Sequence, residues 1–420
     1  MTAARTPQQA LKPLDDALAE LLVFAAPLRE MESVSTFDAD GRVLAADLVS
    51  ALHVPPQDNS SMDGYAVRCA DVLQARERDG LLQVNQRLAA GSAGTSLAPM
   101  SVARIFTGAP IPAGADAVVM QEDCDVQNVD GSPQGAVRIQ SIPVPGQWIR
   151  HAGEDVTLGA VVLSKGERLT PASQGLAASI GMNVLSVVRR PRVALFSTGD
   201  ELVMPGDVAP EHMKPGAIYN SNRFFLRALL LRLGCEVTDL GIVPDRLDAT
   251  VDALRGAAQH HDLILTSGGV SVGEEDHIKP AVQSLGSLDL WQIAIKPGKP
   301  FAYGLVAGTH FIGLPGNPVS SFVTFLLLVR PFLLRLQGVT HVAPESIAVP
   351  AHFTWDRADK RREFLRVHRN VAGGLDLFAN QSSGVLTSAV WGDGLVDNPP
   401  GQTIAHGDVV RFIPFSEVMA

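Results

Sequence analysis

The order of apolar and polar positions changes character at Arg192. From there onward, β-prone runs alternate with amphipathic stretches, in the order VALFS, NRFFLRALLLRLG, CEVTDLGIV, LDATVDALRGAAQ, DLILT, HIKPAVQSLG, LWQIAI, FAYGLV and VSSFVTFLLLV. This alternation predicts a three-layer α/β domain around a largely parallel sheet. Gly234 follows the first amphipathic run, where a helix C-cap is expected, and Ser221 or Asn222 is placed to cap its start.

The other segments have a different pattern and predict smaller blocks. The first 45 residues predict a helix, a short strand and a turn, whereas short β-branched runs such as DAVVM and AVRIQSIPV predict a β-rich insertion after them. Turn-rich strands such as AVPAHFTW, REFLRVHRN and GDVVRFIPF follow Gln337 and predict a C-terminal β-domain. The expected domains are 1–45 together with 147–185, then 46–146, 186–336 and 337–420.

Composition limits the classes of function. With 420 residues and 46% hydrophobic content, the chain is long and apolar enough for two to four conventional cores. The net charge of −10 argues against a general nucleic-acid surface, so any anionic ligand must be held by locally placed donors. Cys69, Cys124 and Cys235 are widely separated and odd in number, which favours neither a disulfide framework nor a zinc cluster. A reducing cytoplasm is the expected location.

Neither apolar segment of interest predicts a membrane role. The N-terminal sequence has spaced apolar residues typical of an amphipathic helix rather than of a signal peptide. The most apolar stretch, residues 322–336, is interrupted by Arg330 and Pro331 and is too short to cross a bilayer. Neither a membrane nor a nucleic acid is therefore an expected partner.

Three polar loops follow strands of the predicted sheet. They are STGDEL after VALF, SGGVSVGEED after DLILT, and KPGKP after LWQIAI. Because ligands on such sheets bind beyond the carboxyl ends of the strands, the loops predict a site for a large anionic ligand. Gly268 and Gly269 permit positive φ and let a phosphate approach backbone N–H groups. Lys296 and Lys299 are held by prolines and suit phosphate, although two solvated surface lysines are the alternative interpretation.

Acidic residues in the same loops raise the question of a metal ion. Asp276 lies in a loop expected to bind an anion, and a Mg²⁺ ion would resolve the repulsion by bridging carboxylates to phosphate oxygens. Asp200 and Glu201 are the expected partners of Asp276 in that site. The alternative, favourable interaction with a helix N-terminus, is the better interpretation for Glu274 and Glu275.

Further turns that contain glycine and proline are equally consistent with a binding role and with a structural role. GLPGNPVSS includes Pro315 and Asn317 and could simply cap a helix. PPQDNSSMDGYAVR and the later turns supply small polar and acidic residues, namely Asp58, Asn59, Ser60, Ser61, Asp63, Thr107, Glu122, Glu154 and Asp155.

Taken together, seven segments resemble the molybdopterin molybdenumtransferase family, which is also similar to the E domain of gephyrin. They are DNSSMDGYAVR, IFTGAPIPAGADAVVMQED, GEDV, ALFSTGDEL, SGGVSVGEEDH, AIKPGKPFAYG and GLPGNPVSS, in family order. The resemblance implies an elongated four-part protomer whose α/β domain binds the pterin. It also implies a homodimer in which the first half of one chain faces the active cleft of the other. The implied reaction converts adenylylated molybdopterin and molybdate into molybdenum cofactor and AMP, with Mg²⁺.

Roles carried over from the family remain expectations for individual residues. Asp276, Lys296 and Lys299 are the expected catalytic residues, and Asp200, Glu201 and Asp276 the expected metal ligands. Arg361 and Arg366 resemble an arginine pair around Phe364 that could hold molybdate, and QSSGVLTS is similar to a later serine-rich turn. The expected substrate-binding set is Asp58, Asp63, Thr107, Asp155, Thr198, Gly199, Asp245, Ser267, Gly268, Gly269, Ser271, Pro315, Asn317, Arg361 and Arg366. Asn220 departs from the family, which often has Asp there, and this weakens a metal role at that position.

Two rival functions remain open. A related α/β domain could adenylylate molybdopterin or cleave nicotinamide nucleotides, but the insertion and the C-terminal block disfavour a single-domain relative. A non-catalytic scaffold is the second rival. No Ser-His-Asp or Cys-His pattern is visible, so catalysis is expected to depend on positioning and charge neutralisation. Other proteins of cofactor synthesis are candidate partners.

Overall fold

The fold comes from a computed structural model that describes residues 11–78, 80–128, 134–269 and 277–419. The segment that holds Ser271 and Asp276, with Glu274 and Glu275, lies outside these described residues.

The described residues of the first part of the chain form three α-helices, short strand pairs and one six-stranded sheet. Its elements are α1 (Leu14–Phe24), β1 (Met31–Ser35), β2 (Leu48–Val49), β3 (Asn59–Ser60), β4 (Gly64–Val67), α2 (Cys69–Arg76), β5 (Leu81–Leu88), β6 (Ser101–Ile105), β7 (Ala117–Met120), β8 (Cys124–Gln127), β9 (Ala136–Ile139), β10 (Ile149–Arg150), β11 (Val161–Leu163), α3 (Pro171–Ser179) and β12 (Val184–Val188). The sheet order is β7-β4-β6-β5-β9-β8. Outside that sheet, β1 pairs with β12, β2 with β11, and β3 with β10. The chain therefore leaves a small unit, forms the β-rich sheet and returns to the same unit.

The middle part is the predicted three-layer α/β domain. Its elements are β13 (Arg192–Thr198), β14 (Leu202–Val203), β15 (Ile218–Tyr219), α4 (Asn222–Arg232), β16 (Glu236–Val243), α5 (Leu247–Ala258), β17 (Leu263–Ser267), α6 (Ile278–Leu285), β18 (Gly286–Gln292), β19 (Ile295–Lys296), β20 (Pro300–Val306), β21 (Thr309–Leu314), α7 (Pro318–Thr324) and α8 (Arg330–Leu336). The main sheet has the order β16-β13-β17-β21-β20-β18. Alternate residues of β13 face opposite sides: Val193 and Leu195 pack with α4 and α7, whereas Ala194 and Phe196 pack with α5 and α6.

The largely parallel sheet that the sequence predicts is parallel only in four of its six strands. β16, β13, β17 and β21 run parallel, but β20 is antiparallel to both β21 and β18. Ala307 and Gly308 connect β20 to β21 with φ of 49° and 90°, the positive values of a two-residue hairpin turn. Because β18 is two antiparallel steps from β21, its carboxyl end still lies at the same edge as those of β13, β17 and β21.

The helix that follows this sheet edge explains the most apolar segment of the chain. α7, a π-helical turn at Phe325–Val329 and α8 form one continuous helix, Pro318–Leu336, that passes through Pro331. It has a mean hydropathy of 1.7, enough for a candidate membrane span, but it is 94% buried inside the protein. Packing in the core of the α/β domain therefore accounts for its composition.

The ends of α4 agree with the sequence only in part. Gly234 has φ of 78°, its N–H donates to Leu231 O at 3.0 Å, and the N–H of Cys235 donates to Leu230 O at 3.0 Å. These bonds form a glycine C-cap of the expected kind. At the other end, the side chain of Ser221 makes no capping hydrogen bond.

The final part of the chain forms the predicted C-terminal β-domain. Its elements are β22 (Ile347–Pro350), β23 (Arg362–Arg369), β24 (Leu375–Leu377), α9 (Thr387–Trp391), β25 (Gly394–Asn398), β26 (Val409–Pro414) and α10 (Phe415–Val418). Its sheet has the order β19-β23-β25-β26-β22, with β24 paired to β23. Because β19 belongs to the lysine turn of the α/β domain, this sheet joins that turn directly to the C-terminal domain.

Candidate functional site

A cleft of about 800 Å³ lies at the shared carboxyl edge of β13, β17 and β21. The loops after these three strands and the start of α4 form most of its walls. Nine residues of the predicted substrate and metal sites line the cleft, namely Thr198, Gly199, Glu201, Asp245, Ser267, Gly268, Gly269, Pro315 and Asn317. The fold thus brings together residues that lie up to 119 positions apart in the sequence, from Thr198 to Asn317.

Glycine backbone forms the floor of the cleft. Gly268 and Gly269 have φ of 92° and 68°, and the N–H of Gly268 donates to Leu314 O at 3.0 Å. A Cβ atom on Gly268 would lie 3.3 Å from Thr198 O, and one on Gly316 would lie 3.8 Å from the Cα of Gly268. The loops therefore meet through main-chain atoms, which leaves little side-chain bulk between a ligand and the backbone.

The polar side chains around this floor are fixed to different degrees. The Thr198 hydroxyl donates to Asp245 Oδ1 at 3.4 Å, and Asn222 Nδ2 donates to Gly316 O at 2.7 Å. Asn220 is 2% exposed and accepts the Arg223 N–H at its Oδ1, 3.3 Å away. Within the described ranges, Asn220 Nδ2 has no hydrogen-bond partner. The Asn220 side chain is therefore a neutral donor at the wall of the cleft.

The carboxylates of the described residues fit a shared magnesium site only in part. Glu201 and Asp245 line the cleft, whereas Asp200 is exposed and is not a lining residue. A Cβ atom on Gly199 would lie 2.5 Å from Glu201 Oε2, so this carboxylate folds back over the glycine turn. Among the described residues no group of three or more His, Cys, Asp or Glu side chains could hold a metal ion. Two carboxylates still suit Mg²⁺, which commonly takes one or two together with water and substrate phosphates.

The lysine turn lies at the same sheet edge, but its two ammonium groups differ. Lys296 Nζ donates to Glu363 Oε1 at 2.9 Å and lies 3.4 Å from Asp359 Oδ2. Lys299 makes no ion pair with any carboxylate in the part of the chain that the structure describes, and Pro300 after it lines the cleft. Of the two predicted cations, Lys299 is therefore the one whose charge no carboxylate of the described residues balances.

Gly298 allows this turn to pack closely against the helix that starts at the cleft. Its φ is 113°, and a Cβ atom there would lie 2.4 Å from Thr324 Oγ1. Any side chain at this position would push the lysine turn away from α7. The glycine between the two prolines is thus a packing requirement as well as a turn residue.

Arg361 and Arg366 have different environments despite their shared motif. Arg361 binds Asp359 through Nε and Nη2 at 3.0 and 2.8 Å, and this pairing holds the pKa of Asp359 well below its usual range. Arg366 is 1% exposed and donates only to neutral acceptors: Ser388 Oγ, Phe364 O and Ser382 O. Burial lowers the pKa of Arg366 to about 10. Arg366 is therefore a desolvated cation without a carboxylate partner among the described residues.

The serine-rich turn connects Arg366 to the cleft. Gln381 bonds the backbone of Arg366 in both directions, at 2.9 Å each, and Ser383 O accepts the N–H of Val319 at 2.9 Å. Gly384, the next residue of the turn, lines the cleft. The C-terminal domain therefore contributes Gly384 to the lining of the cleft and places the buried charge of Arg366 behind the same turn.

The predicted residues of the first part of the chain form a separate cluster. The Asp63 carboxylate accepts the N–H of Thr107 at 2.8 Å and the Thr107 hydroxyl at 2.9 Å, which lowers the pKa of Asp63. Asp58 accepts the N–H of Ala152 at 2.8 Å, and this bond lowers the pKa of Asp58. Asp155 follows in the same turn as Ala152 and is exposed. None of these four predicted residues lines the cleft of its own chain.

Sequence reasoning missed several residues of this site. Asn222, Ser320 and Gly384 line the cleft, and Glu363 holds Lys296 from the neighbouring domain. Glu363 is 1% exposed and also accepts from Trp355 Nε1 at 2.8 Å. A charged residue inside the β-prone run REFLRV was the available signal for Glu363, because a buried carboxylate needs partners.

Comparison with known proteins shows which class of protein has this fold and cleft. Family models described as "MoeA N-terminal region (domain I and II)", "Probable molybdopterin binding domain" and "MoeA C-terminal region (domain IV)" match residues 12–181, 194–335 and 348–415. A molybdopterin-binding α/β domain between these two regions defines a class of enzymes of molybdenum cofactor synthesis.

Relatives that match most of the chain identify the particular family. The chain is 44% identical over 355 residues to the molybdopterin molybdenumtransferase of Haemophilus influenzae, covering 84% of this chain and 85% of that one. It is 36% identical over 393 residues to molybdopterin molybdenumtransferase 2 of Mycobacterium tuberculosis, covering 91% and 93%. The chain belongs to the molybdopterin molybdenumtransferase family, transferases of molybdenum cofactor synthesis.

Solved structures agree with the fold. A molybdopterin biosynthesis protein from Pyrococcus horikoshii is similar with a TM-score of 0.82 at 28% identity, covering 96% of this chain and 100% of that one. A second structure of a molybdopterin biosynthesis protein from this genus gives a TM-score of 0.76 at 32% identity, covering 97% and 99%. The multi-domain α/β and β architecture expected from the sequence is therefore confirmed.

Proposed function

We propose that the cleft binds adenylylated molybdopterin and molybdate and converts them into molybdenum cofactor and AMP, with Mg²⁺. The observation that carries this proposal is the convergence of three glycine-marked loops on one cleft, which Pro300 of the lysine turn and Gly384 of the serine-rich turn also line. Backbone N–H groups and cations placed in this way suit a ligand that carries phosphates. Membership of the transferase family supports the same reaction.

Bringing two anions together is the main physical difficulty of this reaction. Two like unit charges 4 Å apart repel by about 4 kcal/mol at an effective dielectric constant near 20. In the proposal, Lys299 and the N–H of Gly269 offset the charge of the phosphoanhydride, since the N–H of Gly268 already donates to Leu314 O. Arg366 stabilises molybdate from behind the serine-rich turn, whereas Arg361 is neutralised by Asp359 and orients Lys296 indirectly. The chain then acts by orienting substrates and neutralising charge, as expected for transfer without a covalent enzyme intermediate.

The proposed Mg²⁺ site uses the carboxylates of Glu201 and Asp245 at the cleft. Asp276, whose position lies outside the described residues, is the proposed third acidic residue and the one that the chemistry needs. A bound Mg²⁺ would supply positive charge to the phosphate oxygens. Asn220 is proposed to donate from Nδ2 to a substrate oxygen, in place of the carboxylate that relatives often carry there.

The cluster of Asp58, Asp63, Thr107 and Asp155 is proposed to complete the cleft of a second copy of the chain in a homodimer. This proposal rests on the family resemblance and on the finding that none of these four residues lines the cleft of its own chain. The cytoplasm is the proposed location, because all three cysteines are free and two of them are buried.

Release of AMP from adenylylated molybdopterin tests the proposed reaction. We expect AMP to appear only when molybdate and Mg²⁺ are both present, and chelation of Mg²⁺ should stop it. Lys299→Ala should slow AMP release about a hundredfold, because one positive group that faces the developing charge is lost. Lys360→Ala removes an exposed lysine of the C-terminal domain and is the matched control.

Asp276→Asn tests the assigned acidic residue in the same assay. This variant should keep the fold and bind the pterin but release no AMP in response to molybdate. Formation of adenylylated pterin from molybdopterin and Mg-ATP by the wild-type protein, without molybdate-dependent AMP release, would contradict the proposal and favour the adenylylating rival.

A further inference from the structure

A second concavity of about 460 Å³ lies away from the cleft and is lined by four arginines. Arg42 follows β1, and Arg168 lies between β11 and α3. Arg190 lies between β12 and β13, and Arg232 ends α4. Asp40 is the one acidic residue among its lining residues in the described parts of the chain. Such a concentration of positive charge stands out in a chain whose net charge is −10.

Two of these arginines are fixed by the fold. Arg42 is 6% exposed, and its guanidinium contacts the Glu32 carboxylate and donates to Val188 O at 3.0 Å. Glu32 therefore balances one of the four charges. Arg42 is thus a rigid member of the pocket wall rather than a solvated surface side chain.

Arg168 caps the end of α4. Its Nη2 donates to Arg232 O at 3.0 Å and its Nε donates to Gly41 O at 3.3 Å. Burial lowers the pKa of Arg168, as expected for a cation that is partly removed from water. Both acceptors are neutral carbonyl groups that position the guanidinium, and the Asp40 carboxylate, which also lines the pocket, interacts favourably with its charge.

The other two arginines have no carboxylate partner. Arg190 and Arg232 are exposed, and neither makes an ion pair with any residue in the described ranges. The negative end of the α4 dipole accounts for a cation at Arg232 and at Arg168. It does not account for Arg42 and Arg190, which come from other segments and face the same space.

We propose that this arginine pocket binds a small phosphate-bearing anion. Arginine forks match phosphate oxygens in pairs, and an anion would offset the charges of Arg190 and Arg232, which no described carboxylate balances. The volume is within the range of small-molecule sites. Leu231 and Met419 complete the lining and give the ligand an apolar side. The site is separate from the transferase cleft, so it does not depend on the proposed reaction.

Binding of inorganic pyrophosphate to the full chain, measured by isothermal titration calorimetry, tests the pocket. Arg190→Ala with Arg232→Ala removes the two exposed arginines without breaking any described ion pair. We expect the affinity of this site to fall about a hundredfold, because two charged donors are lost. Molybdate-dependent AMP release should stay at the wild-type level in this variant.

The matched control is Arg227→Ala with Arg255→Ala, which removes two exposed arginines from α4 and α5 outside the pocket. This control should bind pyrophosphate as the wild type does. Equal binding by the pocket variant and the wild type would overturn the proposal, and so would equal losses in the pocket variant and the control. Circular dichroism melting identifies a folding defect; in that case the single variant Arg232→Gln decides, with an expected loss of about tenfold.

Discussion

Lys299 and Arg366 are positive groups that their surroundings leave without a carboxylate among the described residues, whereas Lys296 and Arg361 are already paired. Keeping a buried guanidinium without a counter-ion is costly. Such a cost is understandable if an anionic substrate supplies the missing charge during turnover. At the scale of the residue, the chain thus separates cations that build the structure from cations that serve the substrate.

Arg366→Gln should raise the KM for molybdate about tenfold or more while changing kcat less. Gln retains hydrogen-bonding groups but loses the charge, which we assign to molybdate. Steady-state AMP release at varied molybdate concentration measures the split. Arg361→Gln is the comparison, and its effect on the KM should be smaller because Asp359 already neutralises Arg361. Equal effects of the two substitutions would contradict the distinction between them.

At the scale of elements, the contact of β19 with β23 joins the lysine turn to the C-terminal domain. Lys296 pairs in register with Glu363, and the buried Glu363 carboxylate also accepts from Trp355. The position of the lysine turn at the cleft therefore depends on a carboxylate from another domain.

Glu363→Gln should lower the free energy of unfolding by about 1–3 kcal/mol, because one carboxylate oxygen becomes an NH₂ group that faces donors. Urea unfolding monitored by tryptophan fluorescence measures this change. The matched control is Glu345→Gln, an exposed residue before β22, for which a change of about 0.5 kcal/mol or less is expected. A stability of Glu363→Gln equal to that of the control would show that this contact does not tie the domains together.

We expect the Asp262 carboxyl group, just before β17, to make the free energy of unfolding depend on pH. Burial would raise the pKa of Asp262, but bonds from Arg189 and from the N–H of Arg192 outweigh burial and hold the pKa below its ordinary value. A carboxyl group of this kind stabilises the fold fully when the pH is above its unfolded pKa of about 4. It loses that contribution as the pH falls through the lower pKa of the folded state.

Asp262→Asn should therefore be less stable than the wild type by about 1–3 kcal/mol at pH 7, with the difference shrinking below about pH 4. Denaturant unfolding across this pH range measures the difference. Asp252→Asn breaks an exposed pair with Arg255 and should change stability by about 0.5 kcal/mol or less at any pH. A constant gap between Asp262→Asn and the wild type would rule out titration of Asp262 as the cause.

Local sequence signals predicted the secondary-structure elements and their ends better than they predicted which side chains pair across the fold. The Gly234 cap and the loops after β13 and β17 could be predicted because each depends on a few neighbouring residues. The pairing of Lys296 with Glu363 joins positions 67 apart and depends on which strands become neighbours. Arg361 and Arg366 look equivalent in KRREFLRVHR, yet Arg366 lies within β23 and is buried, whereas Arg361 precedes the strand.

At the scale of the whole molecule, the predicted site residues fall into two groups. Residues of the α/β domain line the cleft, while Asp58, Asp63, Thr107 and Asp155 lie on loops of the first part of the chain. If both groups serve one reaction, the proposed second copy would supply the acidic loops. The proposed homodimer follows from this separation and from the family resemblance.

A heterodimer of Asp155→Ala and Lys299→Ala protomers tests this shared site. Each variant alone should release AMP about a hundredfold more slowly than the wild type or slower still. The heterodimer, purified through two different tags, should have about half of the wild-type activity, because one of its two composite sites carries neither substitution. Asp155 suits this test because it is exposed. An inactive heterodimer would mean that each chain uses its own acidic loops.

The most direct test of the whole account is a crystal structure of the protein with AMP and molybdate, in which anomalous scattering locates molybdenum. We expect both anions to occupy the cleft, with AMP phosphate against the Gly268–Gly269 turn and molybdenum between Lys299 and the serine-rich turn. Anions bound at other surfaces while this cleft holds neither of them would contradict it.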